Sequence, residues 1–158
     1  AAWIGPATGG NSISMSAQCE PSPSAPGRLD LRIPAMPREV SRVRNTLADL
    51  GLPATMLEDA RLLSTELVTN SIRHSGVGPQ DTIRIRVAWS GRRLRVDVYD
   101  RVNASAPPKG VAASIRPSPG AESGWGLYLI DRLASRWGSA AGRYWFELED
   151  EPSSEATA

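Results

Sequence analysis

The sequence predicts an α/β sandwich: a mixed, mostly antiparallel sheet with helices packed on one of its faces. Three observations support this. Apolar and polar residues alternate around 29–33, 83–89, 94–98 and 144–148, the period of a strand with one buried face. Around 40–50, 57–68 and 127–137 the apolar residues instead recur every three or four positions, the period of an amphipathic helix. The resulting order is strand, helix, helix, hairpin, long connection, helix, strand, which supplies one layer of each kind.

Residues 1–28 are rich in Ser, Pro and Gly and almost free of charge and periodicity, so they offer no apolar face and are expected to form a disordered extension, native or part of a longer parent chain. At Leu29 the pattern changes. Leu29, Leu31 and Ile33 alternate with Asp30 and Arg32 as a half-buried strand, ended by Pro34 and Pro37. Pro37 suits the first turn of a helix, where its missing N–H is no loss, and Val40, Val43, Leu47 and Leu50 then mark a buried stripe with Gly51 placed as the C-cap. A second helix is expected from Ala54 to His74, its apolar stripe made by Leu57, Ala60, Leu63, Leu67 and Val68, and Ser75, Gly76, Gly78 and Pro79 stop it.

Ile83, Ile85, Val87 and Trp89, then Leu94, Val96 and Val98 after a turn at Ser90-Gly91, read as a hairpin. From Arg101 to Ser123, fifteen of 23 residues are Ala, Ser, Pro or Gly with no period, the composition of a lid or a disordered loop. A third helix is expected from Leu127 to about Trp137, with Leu129, Ile130, Leu133 and Trp137 inward. Gly138 and Gly142 bracket a turn, and Tyr144 to Leu148 form the last strand. The domain therefore runs over 29–150, and residues 151–158 are expected to be a flexible tail.

Composition narrows the function. At 158 residues the chain has room for one domain, and 41% apolar residues suffice for a core. A lone cysteine, Cys19, excludes an internal disulfide framework and points to a cytoplasmic location, and no Cys/His grouping has zinc-ligand spacing. No apolar run approaches the length of a membrane span, and no leader pattern opens the chain, so neither membrane nor export is expected. A net charge of +1 argues against direct binding of bulk nucleic acid. Of the 18 basic residues only Lys109 is lysine, and no phosphate-binding GxxxxGK[ST] loop occurs.

Three features could carry chemistry. Glu66, Asn70 and His74 recur at four-residue intervals on the second helix and so form one polar line beside its apolar stripe. A carboxylate and a carboxamide one turn apart suit a magnesium-nucleotide site, the amide oxygen for the metal and the carboxylate for a proton; a solvated helix face has the same pattern. Asp100 ends a strand where it can accept a hydrogen bond from a ligand amine, or simply start a turn. Gly124 and Gly126 stand immediately before a helix, where free N–H groups attract phosphate, or where a tight turn needs glycine.

Taken in order, ELVTNSIRH at 66–74, VDVYD at 96–100 and ESGWGLYLIDRL at 122–133 resemble the motifs of the GHKL (histidine-kinase-like) ATPase superfamily, and most closely its branch of small anti-sigma-factor serine/threonine kinases. The resemblance spans about Leu29 to Asp150, including the closing GRYWFELE, and implies a Bergerat-type ATP-binding fold with ATP and Mg2+ as cofactors. It implies that Glu66 polarises the acceptor hydroxyl or water, that Asn70 is the magnesium ligand, and that Asp100 contacts the adenine amino group. By the same resemblance Gly124, Gly126 and Leu127 belong to the second glycine box at the phosphates, His74 caps or supports the helix end, and Arg73 is either a phosphate contact or an exposed helix residue. One stretch departs from the superfamily pattern. Where its first glycine box reads DxGxG, this chain reads Asp100-Arg101-Val102-Asn103-Ala104, with neither glycine.

Two functions of different class follow. The first is an ATP-dependent serine/threonine protein kinase that acts as an anti-sigma factor, binding a sigma factor or phosphorylating a serine on an antagonist protein and so controlling transcription. The second is a nucleotide-gated or degenerate module that sequesters a partner without phosphoryl transfer. Intact Glu66 and Asn70 favour the first; the missing DxGxG glycines favour the second. A purely structural domain ranks third. The branch often forms homodimers, and the sequence leaves the oligomeric state open.

Overall fold

A computed structural model describes residues 26–100, 125–140 and 142–150. The expected extension over 1–25, the expected lid over 101–123, Gly124 and the expected tail over 151–158 lie outside the described residues. The elements in chain order are β1 (Gly27–Pro34), a single 3-10 turn (Pro37–Glu39), α1 (Val40–Ala48), α2 (Ala54–His74), β2 (Thr82–Ser90), β3 (Arg93–Tyr99), α3 (Trp125–Leu133), β4 (Arg136–Ala140) and β5 (Arg143–Glu149).

The strands form one sheet in the order β1-β2-β3-β5-β4, and every neighbouring pair is antiparallel. The α/β sandwich with a mostly antiparallel sheet expected from the sequence is thus borne out, and among the described residues the sheet is antiparallel throughout. Topology supplies the reason. Two helices, α1 and α2, separate β1 from β2, so the chain returns to the end it left and runs back beside β1. β3 and β4 do point the same way across the α3 crossover, but β5 inserts between them and pairs antiparallel with both.

The strand alternation sets the core. Ile33, Ile83, Ile85, Val87, Leu94, Val96, Val98, Phe146 and Leu148 all point to one face of the sheet and are buried there. The helices lay their stripes on that face: Val43 and Leu47 from α1, Ala60, Leu63, Leu67 and Val68 from α2, and Ile130 from α3. α2 lies against α1 and α3 and across β3 and β5, which places it at the centre of the helical layer. Burying a large aliphatic side chain contributes about 1.5–3 kcal/mol, so the face holding these residues fixes strand register as well as helix position. Among the described residues no helix is long and apolar enough to cross a membrane.

Glycine and tryptophan pair across strands at both edges of the sheet. Gly27 in β1 faces Trp89 in β2, and Gly138 in β4 faces Trp145 in β5. A Cβ on Gly138 would lie 2.8 Å from the Trp145 indole, and one on Gly27 would overlap the Trp89 ring. Each indole thus occupies the space its glycine leaves, shielding backbone on an edge strand that lacks a side chain.

Several boundaries differ from those expected, and the third helix opens at Trp125, so Gly126 lies within its first turn rather than before it. β1 starts at Gly27, two residues before Leu29, because the Trp89 pairing extends the ladder. The first helix opens with a 3-10 turn, and its α-helix ends at Ala48, so Leu50 packs from the following turn and Gly51 adopts a left-handed φ of 67°. The third helix does not reach Trp137. The Ala134 N–H still donates to the Ile130 carbonyl (2.9 Å), but the Ser135 N–H donates across to the Glu147 carbonyl (2.9 Å) and starts β4. Trp137 stands four residues after Leu133 and so imitates the helical stripe. Its indole N–H donates to Asp131 Oδ1 at 3.0 Å, tying the new strand back to the helix it left.

Candidate functional site

α2 is a 21-residue helix whose two sides do different work. Ala60, Leu63, Leu67 and Val68 face the sheet, while Glu66 and Asn70, one turn apart, are only partly buried and turn toward the start of α3. The contact is close. A Cβ built on Gly126 would meet Glu66 Oε2 at 2.7 Å, Asn70 Nδ2 at 3.2 Å and Glu66 Cβ at 3.2 Å. Gly126 is buried in the first turn of α3, so the absence of a side chain there is what lets two polar residues of α2 sit against the opening of the neighbouring helix.

This arrangement brings together three of the residues singled out from the sequence. A carboxylate and a carboxamide share one spot beside a helix N-terminus, the positive end of the helix dipole, which favours anionic groups. Glu66 Oε2 and the Asn70 carboxamide both lie beside Gly126 and are only partly buried, and a carboxylate with a carboxamide is a donor set of the kind a hard cation takes. Leu127, next along α3, is partly buried against the core and contributes packing at this corner. Gly124 lies outside the described residues.

Asp100 follows directly on β3 and is 6% exposed. Its N–H donates to the Gly142 carbonyl at 3.1 Å, which ties the end of β3 to the β4–β5 turn, where Gly142 has a left-handed φ of 66°. Among the described residues its carboxylate has no hydrogen-bond or ion-pair partner. A nearly buried carboxylate in that state is unfavourable unless a donor reaches it, so Asp100 presents an acceptor suited to a ligand N–H.

The sequence reading missed a neighbour of that carboxylate. Tyr144 on β5 is register-paired with Val98, two residues before Asp100. Burial first, and the Asp100 charge second, push its phenol above the usual tyrosine range. The signal was hidden because a tyrosine in a strand reads as packing; only the β3–β5 register brings it to Asp100.

Arg73 and His74 are placed differently. Both are exposed in the last turn of α2, where the Arg73 charge complements the helix dipole. The helix closes there through the Ser75 N–H to the Ser71 carbonyl at 3.3 Å, with the Ser75 hydroxyl donating to the same oxygen. His74 continues the Glu66 and Asn70 line but not their contact with Gly126. Among the described residues, no group of three or more His, Cys, Asp or Glu side chains could hold a metal alone, so a cation here would take water or ligand oxygens to complete its shell.

Comparisons with known proteins agree with this architecture. Residues 33–142 match the histidine kinase-like ATPase domain. Over 77 residues the chain is 40% identical to the uncharacterized protein SCO4941 of Streptomyces coelicolor, covering 47% of this chain and 66% of that protein. The fold is similar to the crystal structure of the RsbU and RsbW domains of Rv1364c from Mycobacterium tuberculosis, with a TM-score of 0.52 and 21% identity over 77% of this chain. The chain spans just under two thirds of the length of the first protein and 31% of the second.

Proposed function

The chain belongs to the histidine kinase-like ATPase domain family, and from that premise we propose that it is an ATP-dependent serine/threonine protein kinase acting as an anti-sigma factor in the cytoplasm. It binds a sigma factor or phosphorylates a serine on an antagonist protein that competes for it. The observation that carries the nucleotide reading is the convergence of Glu66 and Asn70 on Gly126, where a Cβ would have no room. The partner class comes from the motif resemblance given above.

In this reading Asp100 accepts a hydrogen bond from the adenine amino group, which orients the base at the end of β3. The N-terminal turn of α3, with Gly126 and Leu127, meets the phosphate end of the nucleotide. Asn70 would hold magnesium, which when bound would supply charge neutralisation at the phosphates. Glu66 orients the seryl hydroxyl of the antagonist and takes its proton as the serine oxygen bonds to the γ-phosphorus of ATP and ADP leaves. Phosphoryl transfer needs little covalent help from the protein, so positioning and charge account for most of the rate. Arg73 and His74, exposed at the end of α2, have no step of their own.

A second reading has its own observation. Arg101-Val102-Asn103-Ala104 after Asp100 lacks both glycines of the superfamily's first glycine box, which favours a module that binds nucleotide and sequesters a partner without transferring phosphate. The two are separated by incubating the protein and a candidate antagonist with γ-labelled ATP. The kinase labels the antagonist, Glu66→Gln keeps nucleotide binding and lowers the rate by about 10²–10⁴-fold, the range for loss of a general base, and Asn70→Ala weakens Mg-ATP binding itself. Nucleotide binding without label in any antagonist tested, and partner affinity indifferent to Glu66→Gln, identifies the sequestering module.

A further inference from the structure

The helices cover one face of the sheet, and the other face has a composition that neither catalysis nor the core explains. Strand alternation assigns it directly, since it carries every residue between the buried ones. β1 gives it Arg28 and Arg32, and β2 gives Arg84 and Arg86. β3 adds Arg93 and Arg95, while β5 and β4 add Arg143 and Arg136. Against these eight arginines stand four carboxylates, Asp30, Asp97, Glu147 and Glu149. The whole chain is only +1, so its positive charge is concentrated on this face and the remainder is net negative.

The face is built rather than loosely solvated. Arg95 donates from Nε and Nη2 to the two oxygens of Asp97 (2.9 and 3.1 Å) and from Nη1 to Glu147 (2.7 Å), and its guanidinium lies 4.2 Å from the Trp145 ring centre. Arg143 lies over the Tyr99 ring and 3.7 Å from Asp97. Arg84 grips Asp30 with two donors, and Arg93 pairs with Glu149 at 2.8 Å. All four carboxylates are thus engaged within the face. Arg28 and Arg32 have no carboxylate within ion-pair distance among the described residues, and Arg86 has Asp30 only at 3.9 Å. Two shallow depressions of about 570 and 410 Å³ open on this side; Arg28 and Arg95 line both, joined by Arg93 and Arg136 in one and by Arg86 and Arg143 in the other.

From this we infer that the open face of the sheet is a docking surface for an acidic protein surface, separate from the nucleotide site on the helical side. Arg84, Arg95 and Arg143 are held by carboxylates of the face itself, which leaves Arg28, Arg32 and the loosely paired Arg86 to meet the carboxylates of a partner. Asp97 and Glu147 sit on the inner strands β3 and β5, so a continuous run of nucleic-acid phosphates would meet two carboxylates midway, whereas a protein side offers spaced ones. A second copy is disfavoured for the opposite reason, because two such faces repel. Five strands at about 4.8 Å and roughly seven residues at about 3.3 Å give a face of about 500–600 Å², the size of a transient contact governed by steering and salt. Docking there leaves the Glu66 and Gly126 corner open, so it does not depend on phosphoryl transfer at that corner.

The test uses the full chain and a fluorescein-labelled peptide of alternating glutamate and serine, read by fluorescence anisotropy. The peptide binds, and raising salt from about 50 to about 300 mM weakens it at least tenfold as screening shortens the range of the charges. Arg28→Glu with Arg86→Glu weakens it at least tenfold, while the charge-matched pair Arg38→Glu with Arg44→Glu on the helical side changes it by less than about twofold. Arg28→Gln with Arg86→Gln, checked for fold by circular dichroism, gives an intermediate loss and covers a failure of the reversed pair to fold. Equal loss in the helical-side control, no binding, tighter binding of a single-stranded oligonucleotide of the same length, or self-association on sedimentation that Arg28→Glu abolishes would each overturn the inference.

Discussion

Replacing Gly126 by alanine separates two physical effects that differ in sign. In a helix without neighbours, alanine is favoured over glycine by about 0.8–1 kcal/mol, so the change would stabilise the protein. Here the new Cβ would stand 2.7 Å from Glu66 Oε2 and 3.2 Å from both Asn70 Nδ2 and Glu66 Cβ. The Glu66 carboxylate can swing away, but its Cβ is fixed to α2, so α3 must also move by a few tenths of an ångström. Overpacking of this kind costs about 1–3 kcal/mol. Set against the helix gain, the net effect is a loss of up to about 2 kcal/mol, or a fall in thermal midpoint of up to about 8 °C for a chain of this size. Scanning calorimetry without nucleotide measures the stability, and calorimetric titration with Mg-ATP measures the site. Because Glu66 and Asn70 are the residues displaced, Mg-ATP affinity drops in parallel with stability. A midpoint that rises with unchanged nucleotide affinity would refute the packing of α3 against α2 and the site built on it.

Ser64 is fully buried in α2, and its hydroxyl has no partner among the described residues; Ser64→Ala is therefore expected to leave stability unchanged or raise it by about 1 kcal/mol in urea denaturation, and a loss above 1 kcal/mol would mean the hydroxyl is bonded. Tyr144 holds its proton more tightly in the folded chain than at the ordinary value of 10.0, so its contribution is complete below pH 10 and is lost as pH rises past it, because the unfolded chain ionises first. Tyr144→Phe is expected to shallow the alkaline fall in stability, and an unchanged pH profile would place the loss elsewhere. Asp30 behaves in mirror image: the Arg84 hydrogen bonds hold its carboxyl below the usual 3.8, so the pair's contribution is full above that pH and fades on acidification, and Asp30→Asn is expected to flatten the acid limb of the stability curve.

Much of this architecture is legible in the chain itself because burial imposes a period. The alternation in 83–89 and 94–98 and the stripe of α2 have only one face to bury, and the structure buries it. Legibility failed where a residue's spacing imitated another element. Trp137 continues the α3 stripe in number but lies in β4, because Arg136–Ala140 is an edge strand of only five residues with no apolar alternation to announce it. The position of β5 between β3 and β4 was equally hidden, since it depends on which strands meet in three dimensions. At the candidate site, the four-residue spacing of Glu66 and Asn70 was visible, whereas their meeting with Gly126 is a contact between two helices. Tyr144 needed the β3–β5 register before it could be related to Asp100.

The most direct test is isothermal titration calorimetry of Mg-ATP into the wild-type chain and into Asp100→Asn. Asp100 is 6% exposed, and its carboxylate has no partner among the described residues, so in this reading it waits for the adenine amine. Wild type is expected to bind one Mg-ATP per chain, and Asp100→Asn to bind at least tenfold more weakly, since losing a hydrogen bond to a charged group is worth about 1.5–3 kcal/mol, with Mg-GTP, which presents a carbonyl instead of that amine, bound poorly by the wild type. Absence of binding heat at millimolar Mg-ATP, or equal affinity in wild type and variant, would contradict the account.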